Sequence, residues 1–207
     1  VIKICHAAAQ RFADMGVQVE EACPDFSEAI ESFQVLRAAW FATEHTDDLR
    51  DHRNKLKPEV IWNIEKGLAL SAKEIAEAEA ARTRLYRSVT SFFHHYDLLL
   101  CPTAIVPPFD VDVRYVEEVD GHKFDNYVHW ISITFAITLT GCPAISVPAG
   151  FTSNRLPVGL QIMGPPRGEA KTLAAAARLE ESLGISKRLP IDPMASDGTN
   201  LVAPKQI

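Results

Sequence analysis

Apolar residues recur every three or four positions along much of this chain, and glycine and proline interrupt them at intervals that predict an α/β order of elements. Ile4, Ala8 and Phe12 mark one face of a first helix, and Gly16 stands where a helix stops. Val17-Gln18-Val19 then alternates as a strand does, up to Pro24. Phe26 to Glu44 predicts a second helix, with Ala29, Phe33, Leu36 and Trp40 on one side. His45 to Lys57 is densely charged, carrying Asp47, Asp48, Arg50, Asp51, Arg53, Lys55 and Lys57, and reads as a solvated helical excursion between helices. Ser71-Ala72-Lys73-Glu74 has the capping-box pattern, in which the serine hydroxyl accepts from the glutamate amide while the carboxylate reaches back. The helix it opens should run to about His95. Its stripe is Ile75, Ala78, Arg82, Leu85, Val89, Phe92 and Tyr96, with only Arg82 out of character, a residue expected to snorkel to water.

Beyond that helix the period changes. Asp97-Leu98-Leu99-Leu100-Cys101 does not alternate, which predicts a strand covered on both faces rather than an edge strand, ended by Pro102. Thr103 to Gly121 holds Pro107, Pro108 and several acids without an apolar period, so it reads as a long loop of the kind that tends to carry function. Phe124 to Leu139 returns to helical order, Gly141 to Gly150 predicts a turn, a short buried strand and another turn, and Leu156 to Met163 a further strand. Glu169 to Leu183 is an Ala-rich helix with Leu173, Ala176, Leu179 and Leu183 in step and Gly184 as its stop. Residues 186–207 show no period and are expected to wrap the surface or remain disordered.

Composition narrows the class. The chain has 207 residues, 47% hydrophobic and 23% charged, enough for one real core, and its net charge of -6 offers no basic face for a polyanion. Nucleic acid is therefore not an expected partner. The longest apolar runs fall far short of the roughly 20 residues that cross a bilayer. The N-terminal segment suits an amphipathic helix better than a signal sequence, so a cytoplasmic protein is expected. Cys5, Cys23, Cys101 and Cys142 lack any C-x-x-C pairing, which argues against disulfides and zinc. The chain opens without Met inside a helical pattern, as a fragment would.

Three ordered runs carry a resemblance: YDLLLCPTAIVPPF, ITLTGCPAISVPAGF and LPVGLQIMGPPRGEAKTLAAAARLEESLG. Together they resemble the C-terminal part of amidase-signature hydrolases, over nearly the whole chain up to about Gly184. The fold this implies is α/β, the C-terminal portion of that fold, with a mixed β-sheet covered by helices. Residues 1–185 would form the amidase-signature portion, with 45–95 as its helical excursion. The family hydrolyses amide C–N bonds with a Ser nucleophile, a second Ser in a cis peptide and a Lys base, and no Gly-Gly-Ser-Ser-Gly-like run is present here. Ser71, Ser88, Ser91, Ser132, Ser146 and Ser153 all lack that neighbourhood. No catalytic residue, metal ligand or cofactor site is therefore assigned on this chain.

What the resemblance leaves to it is the wall of the substrate pocket, for which Thr103, Ile105, Trp130, Ile137, Thr138 and Cys142 are candidates. The A subunits of glutamyl-tRNA amidotransferases are similar too, yet at their substrate-binding Arg this chain has Trp62 or Asn63, and at their substrate-binding Asp it has Ile131. A charged amino-acid head group would find no partner there, so a small apolar amide is the expected substrate. The expected partners are that amide, the missing N-terminal portion of the same enzyme, and a second copy in a homodimer formed through unpaired strand edges.

Two other classes remain as alternatives. One is a stand-alone binding module that keeps an amidase-like pocket. The other is a cysteine hydrolase using Cys101 or Cys142, although neither has a Lys, Arg or His neighbour in sequence to stabilise a thiolate. His45, Asp48 and His52 read as charged surface rather than as a metal site, and His94 and His95 as groups that favour a helix C-terminus.

Overall fold

The computed structural model describes residues 1–185, so the expectations for the tail 186–207 lie outside the described residues. In chain order the elements are α1 (Ile2–Asp14), α2 (Ala29–His52), α3 (Pro58–Leu68), α4 (Ala72–Phe92), β1 (Leu99–Pro102), β2 (Glu118–Val119), β3 (His122–Lys123), α5 (Ser132–Thr140), β4 (Ala144–Phe151), β5 (Pro157–Met163) and α6 (Glu169–Leu183). β1, β5 and β4 form a three-stranded sheet in that order. β5 is central, and both of its pairings are antiparallel, with Cys101, Gln161 and Ser146 in one row across the sheet.

That row fixes which side chains share a face, because successive residues of a strand point to opposite sides. One face presents Leu98 and Leu100 of the β1 segment, Val158, Leu160 and Ile162 of β5, and Val147 and Ala149 of β4. Against it pack Cys5, Ala8 and Phe12 of α1 and Ala176 and Leu179 of α6, both helices showing a face at three-to-four spacing. The other face presents Leu99, Cys101, Gln161 and Met163. Its Leu99–Met163 end is covered by Ala29 of α2, Leu85 and Val89 of α4, and Ala136, Ile137 and Leu139 of α5. Helix α2 also meets α5 through the stacked rings of Phe33 and Phe135, 4.0 Å between centroids.

Glycine decides two close approaches. A Cβ on Gly67 would sit 1.9 Å from the Ala38 carbonyl oxygen, so α3 lies against α2 only because the position is bare. A Cβ on Gly164 would sit 2.2 Å from Thr172 Oγ1, which is how the turn after β5 tucks under α6. The capping box at Ser71 forms in full, with Glu74 N–H donating to Ser71 Oγ at 3.2 Å and Ser71 N–H donating to the Glu74 carboxylate at 2.8 Å. Arg82 is half-exposed, and its Nε donates to the Leu139 carbonyl at 3.0 Å, which ties α4 to the last turn of α5.

Several elements differ from expectation. Val17 and Val19 form no strand: both are exposed, and no neighbouring strand among the described residues pairs with them. Helix α2 runs on to His52, so the charged segment is its last two turns plus a 3-10 turn at Arg53–Lys55. Solvent-facing charges at helical spacing are compatible with continuing a helix. β1 has both faces covered, yet among the described residues it pairs only with β5 and lies at the sheet edge. Within the long loop, β2 and β3 form a small hairpin turned by Asp120 and Gly121, both at positive φ. The helix expected from Phe124 begins only at Ser132, after a 3-10 turn at His129–Ile131. Asn126 Oδ1 accepts from the Val128 and His129 amides and holds that segment in a turn.

Candidate active-site face

The open end of the second sheet face is where the polar chemistry collects. Thr103 extends β1 by donating its N–H to the Gly159 carbonyl at 3.0 Å, which sets its side chain on the same face as Cys101 and Leu99. Ser146 lies on this face from β4, on the far side of the central strand. Two strands removed, these side chains would ordinarily be too far apart to touch. They meet because Gly159 has no side chain between them. The two hydroxyl oxygens are 2.6 Å apart, and a Cβ on Gly159 would stand 2.7 Å from one and 2.9 Å from the other.

Beside them Gln161 is buried and donates from Nε2 to Cys101 Sγ at 3.4 Å. Burial pushes the Cys101 thiol above its usual range, more than the Gln161 hydrogen bond lowers it, and burial does the same at Cys142. Neither thiol is poised as a thiolate at neutral pH.

A second grouping surrounds Tyr127, in the turn before α5. Its hydroxyl accepts from Arg37 Nη2 at 3.0 Å and from Asn63 Nδ2 at 2.5 Å, and Asn63 also donates to the Glu59 carbonyl at 2.7 Å. The Trp62 ring stands edge-on to Tyr127 at 6.2 Å, with Lys66 Nζ 5.2 Å from the Trp62 centroid, and the Tyr115 ring lies 6.5 Å from that of Tyr127. Tyr115 also lines a cleft of about 600 Å³ formed within the long loop by residues that include Pro108, Phe109 and Arg114. Arg114 is itself paired with Glu59 at 2.6 Å.

The residues singled out from sequence fall into three places. Thr103 stands on the open sheet face, with Ile105 half-buried just beyond it. Trp62 meets Tyr127, whereas Trp130 and Ile131 lie in the 3-10 turn that follows Tyr127 along the chain, with Trp130 packed edge-on against Phe109 at 5.7 Å. Ile137 and Cys142 lie in the apolar core with Met163 and Leu99, whereas Thr138 is exposed on α5 and donates to the Thr134 carbonyl at 3.2 Å. Sequence reasoning did not single out Gly159, Gln161, Arg37 or Tyr127, and gave Ser146 no role. The alternation of Ala144, Ser146 and Pro148 was a signal for one shared face, whereas nothing local points from Arg37 to Tyr127, 90 residues away.

The family profile described as Amidase matches residues 2–173. The chain belongs to the amidase family. An acylamidase of Rhodococcus erythropolis is 28% identical over 197 residues, covering 94% of this chain and 41% of that protein. The A subunit of a glutamyl-tRNA(Gln) amidotransferase from Alkaliphilus metalliredigens is 39% identical over 98 residues, which cover 47% of this chain and 19% of that protein. In three dimensions a bacterial aryl acylamidase of the amidase-signature family superposes with a TM-score of 0.76 at 24% identity, over 89% of this chain and 40% of that one. At that identity the likeness establishes the amidase-signature fold. The chain spans about two fifths of the acylamidase it matches. No helix among the described residues is long and apolar enough to cross a membrane.

Proposed function

We propose that this chain forms the substrate-pocket wall and sheet scaffold of an amide hydrolase, and that hydrolysis requires an upstream region carrying the Ser, Ser and Lys of the family. The observation that carries this reading is the half-covered sheet face, where the Thr103 and Ser146 hydroxyls meet over Gly159. A sheet face that is packed at one end and polar and open at the other is suited to receive further chain or a ligand. A serine hydroxyl becomes a useful nucleophile only when a base takes its proton. The tetrahedral oxyanion also needs fixed donors, each worth roughly 3–4 kcal/mol of barrier. In this reading the upstream region supplies both.

Trp62, Thr103, Ile105, Trp130, Ile131, Ile137, Thr138 and Cys142 then shape the acyl pocket, some by contact and the buried Ile137 and Cys142 by packing behind it. Their predominantly apolar character favours small aliphatic or aryl amides. A cytoplasmic location accompanies the reading, as does homodimerisation through the edge of β1, which pairs with no further strand among the described residues.

The test follows ammonia or arylamine release across a panel of aliphatic and aryl amides, using the 207-residue chain and the longer protein with its upstream residues. Turnover confined to the longer protein is the expected result. Turnover by the shorter chain would overturn the reading and point to Cys101 or Cys142, whose replacement by Ala would then abolish it.

A further inference from the structure

Around Tyr127 two side chains keep hydrogen-bond donors that no described residue accepts. Arg37 makes no ion pair with any described carboxylate, in contrast to Arg50, Arg53, Arg84 and Arg114. Its guanidinium instead lies 4.7 Å from the Phe41 centroid and 5.9 Å from those of Phe33 and Tyr127. Contacts of this kind draw on the quadrupole of the rings and leave the N–H donors of the guanidinium to be met in its own plane. Of these only Nη2 has a described partner, the Tyr127 hydroxyl. Nε is sealed from solvent without any, and Nη1 is not sealed.

Tyr127 in turn accepts from both Arg37 and Asn63, so its own O–H proton remains to be donated, and it donates to none of the described residues. Asn63 has both amide protons committed, to Tyr127 and to the Glu59 carbonyl. The chemistry that completes such a set is an anion with planar acceptors. The sealed Nε is beyond the reach of a ligand, but a carboxylate can accept from Nη1 and from the second Nη2 proton at once and has lone pairs left for a phenol.

We infer that Arg37 and Tyr127 form a carboxylate-binding subsite, and that the amide taken by the enzyme carries a carboxylate at the end remote from the bond to be cleaved. The aromatic rings of Trp62 and Tyr115 beside Tyr127 would hold the apolar body of that substrate. This replaces the expectation that a charged group finds no partner here: the position of Trp62 and Asn63 supplies none, but Arg37 arrives from α2. Its meaning as substrate selection rests on the amide-hydrolase reading, whereas the binding itself does not.

The experiment measures binding of adipamate, a six-carbon amide with a carboxylate at its other end, and of neutral hexanamide to the 207-residue chain. Tryptophan fluorescence, to which Trp62 contributes, and calorimetry report it. Adipamate is expected to bind at least tenfold more tightly than hexanamide, and R37Q should remove that difference while far-UV circular dichroism stays unchanged. Y127F, which deletes one hydroxyl and keeps the ring packing, should weaken adipamate several-fold and leave hexanamide as it was, and it decides the matter if R37Q does not fold. Equal affinity for the two probes, no binding of either, or unaltered adipamate affinity in Y127F would overturn the inference. Adipamate binding without turnover of any amide by the longer protein would leave the subsite standing and remove the hydrolase reading, and the reverse outcome would do the opposite.

Discussion

Gly67→Ala sets two physical effects against each other. In a helix interior alanine is favoured over glycine by about 0.8–1.0 kcal/mol, so local propensity alone makes the substitution stabilising. The structure reverses the sign. The new Cβ would lie 1.9 Å from the Ala38 carbonyl oxygen, 2.6 Å from its carbon and 2.8 Å from the Ala42 Cβ, and the nearest two of these are backbone atoms of α2 that no rotamer change can move aside. Ordinary contact begins at about 3.4 Å, so the two helices must separate by more than an ångström or bend. Overpacking of a tight interface costs typically 1–3 kcal/mol and occasionally more, and a rigid backbone neighbour sets this case at about 3. Subtracting the propensity gain leaves a net loss of about 2 kcal/mol, which for a protein of this size lowers Tm by roughly 4–8 °C. Urea unfolding followed by circular dichroism measures it as a fall in midpoint at constant slope. The displacement would also pull Asn63, one turn earlier on α3, away from Tyr127, so the tryptophan fluorescence to which the neighbouring Trp62 contributes should change with it. A Gly67→Ala variant as stable as the parent, or more so, would refute the packing argument.

Ile162, fully buried near the C-terminal end of the middle strand, should lose about 2–5 kcal/mol on replacement by Ala in the same unfolding assay. Ser71→Ala removes the cap of α4 and should cost about 1 kcal/mol near neutral pH. The Ser71 backbone amide, and after it the Ser71 hydroxyl, hold the Glu74 carboxyl below the usual carboxylate range, so their contribution is complete above that range and is lost as pH falls through the depressed folded-state value. Ser71→Ala keeps the amide and loses only the hydroxyl's share, so its deficit relative to the parent should shrink in acid by that share alone. Because burial raises the Cys101 and Cys142 thiols, iodoacetamide should modify both slowly at pH 8 and faster only as pH rises well past the ordinary thiol range. Rapid modification of either at pH 7 would contradict their placement.

Local pattern carried much of this protein. The helix at Glu169–Leu183 and its Gly184 stop, the capping box at Ser71, and the strand ending at Met163 depend on contacts within a few residues or on burial of one periodic face. Such signals are written in neighbouring letters. The three ordered runs around Cys101, Gly141 and Leu156 likewise made the family legible, because each joins a strand to the turn that ends it. Where the deciding contact is distant, the letters were silent or misleading. Val17-Gln18-Val19 alternates like a strand, but a strand exists only with a partner, and none of the described strands lies beside it. Leu98 to Cys101 reads as interior and has two covered faces, yet its place at the edge of the sheet follows from the order β1-β5-β4, which no segment encodes alone. The meeting of Thr103 and Ser146 required Gly159 to stand between them, and Arg37 gained its role only when α2 and the turn before α5 were folded together. Sequence determined most of the elements and the family, through short-range periodicity and chain order. Tertiary structure decided the open face and the donor-rich neighbourhood of Tyr127, because both are made of side chains that only packing brings within 3 Å.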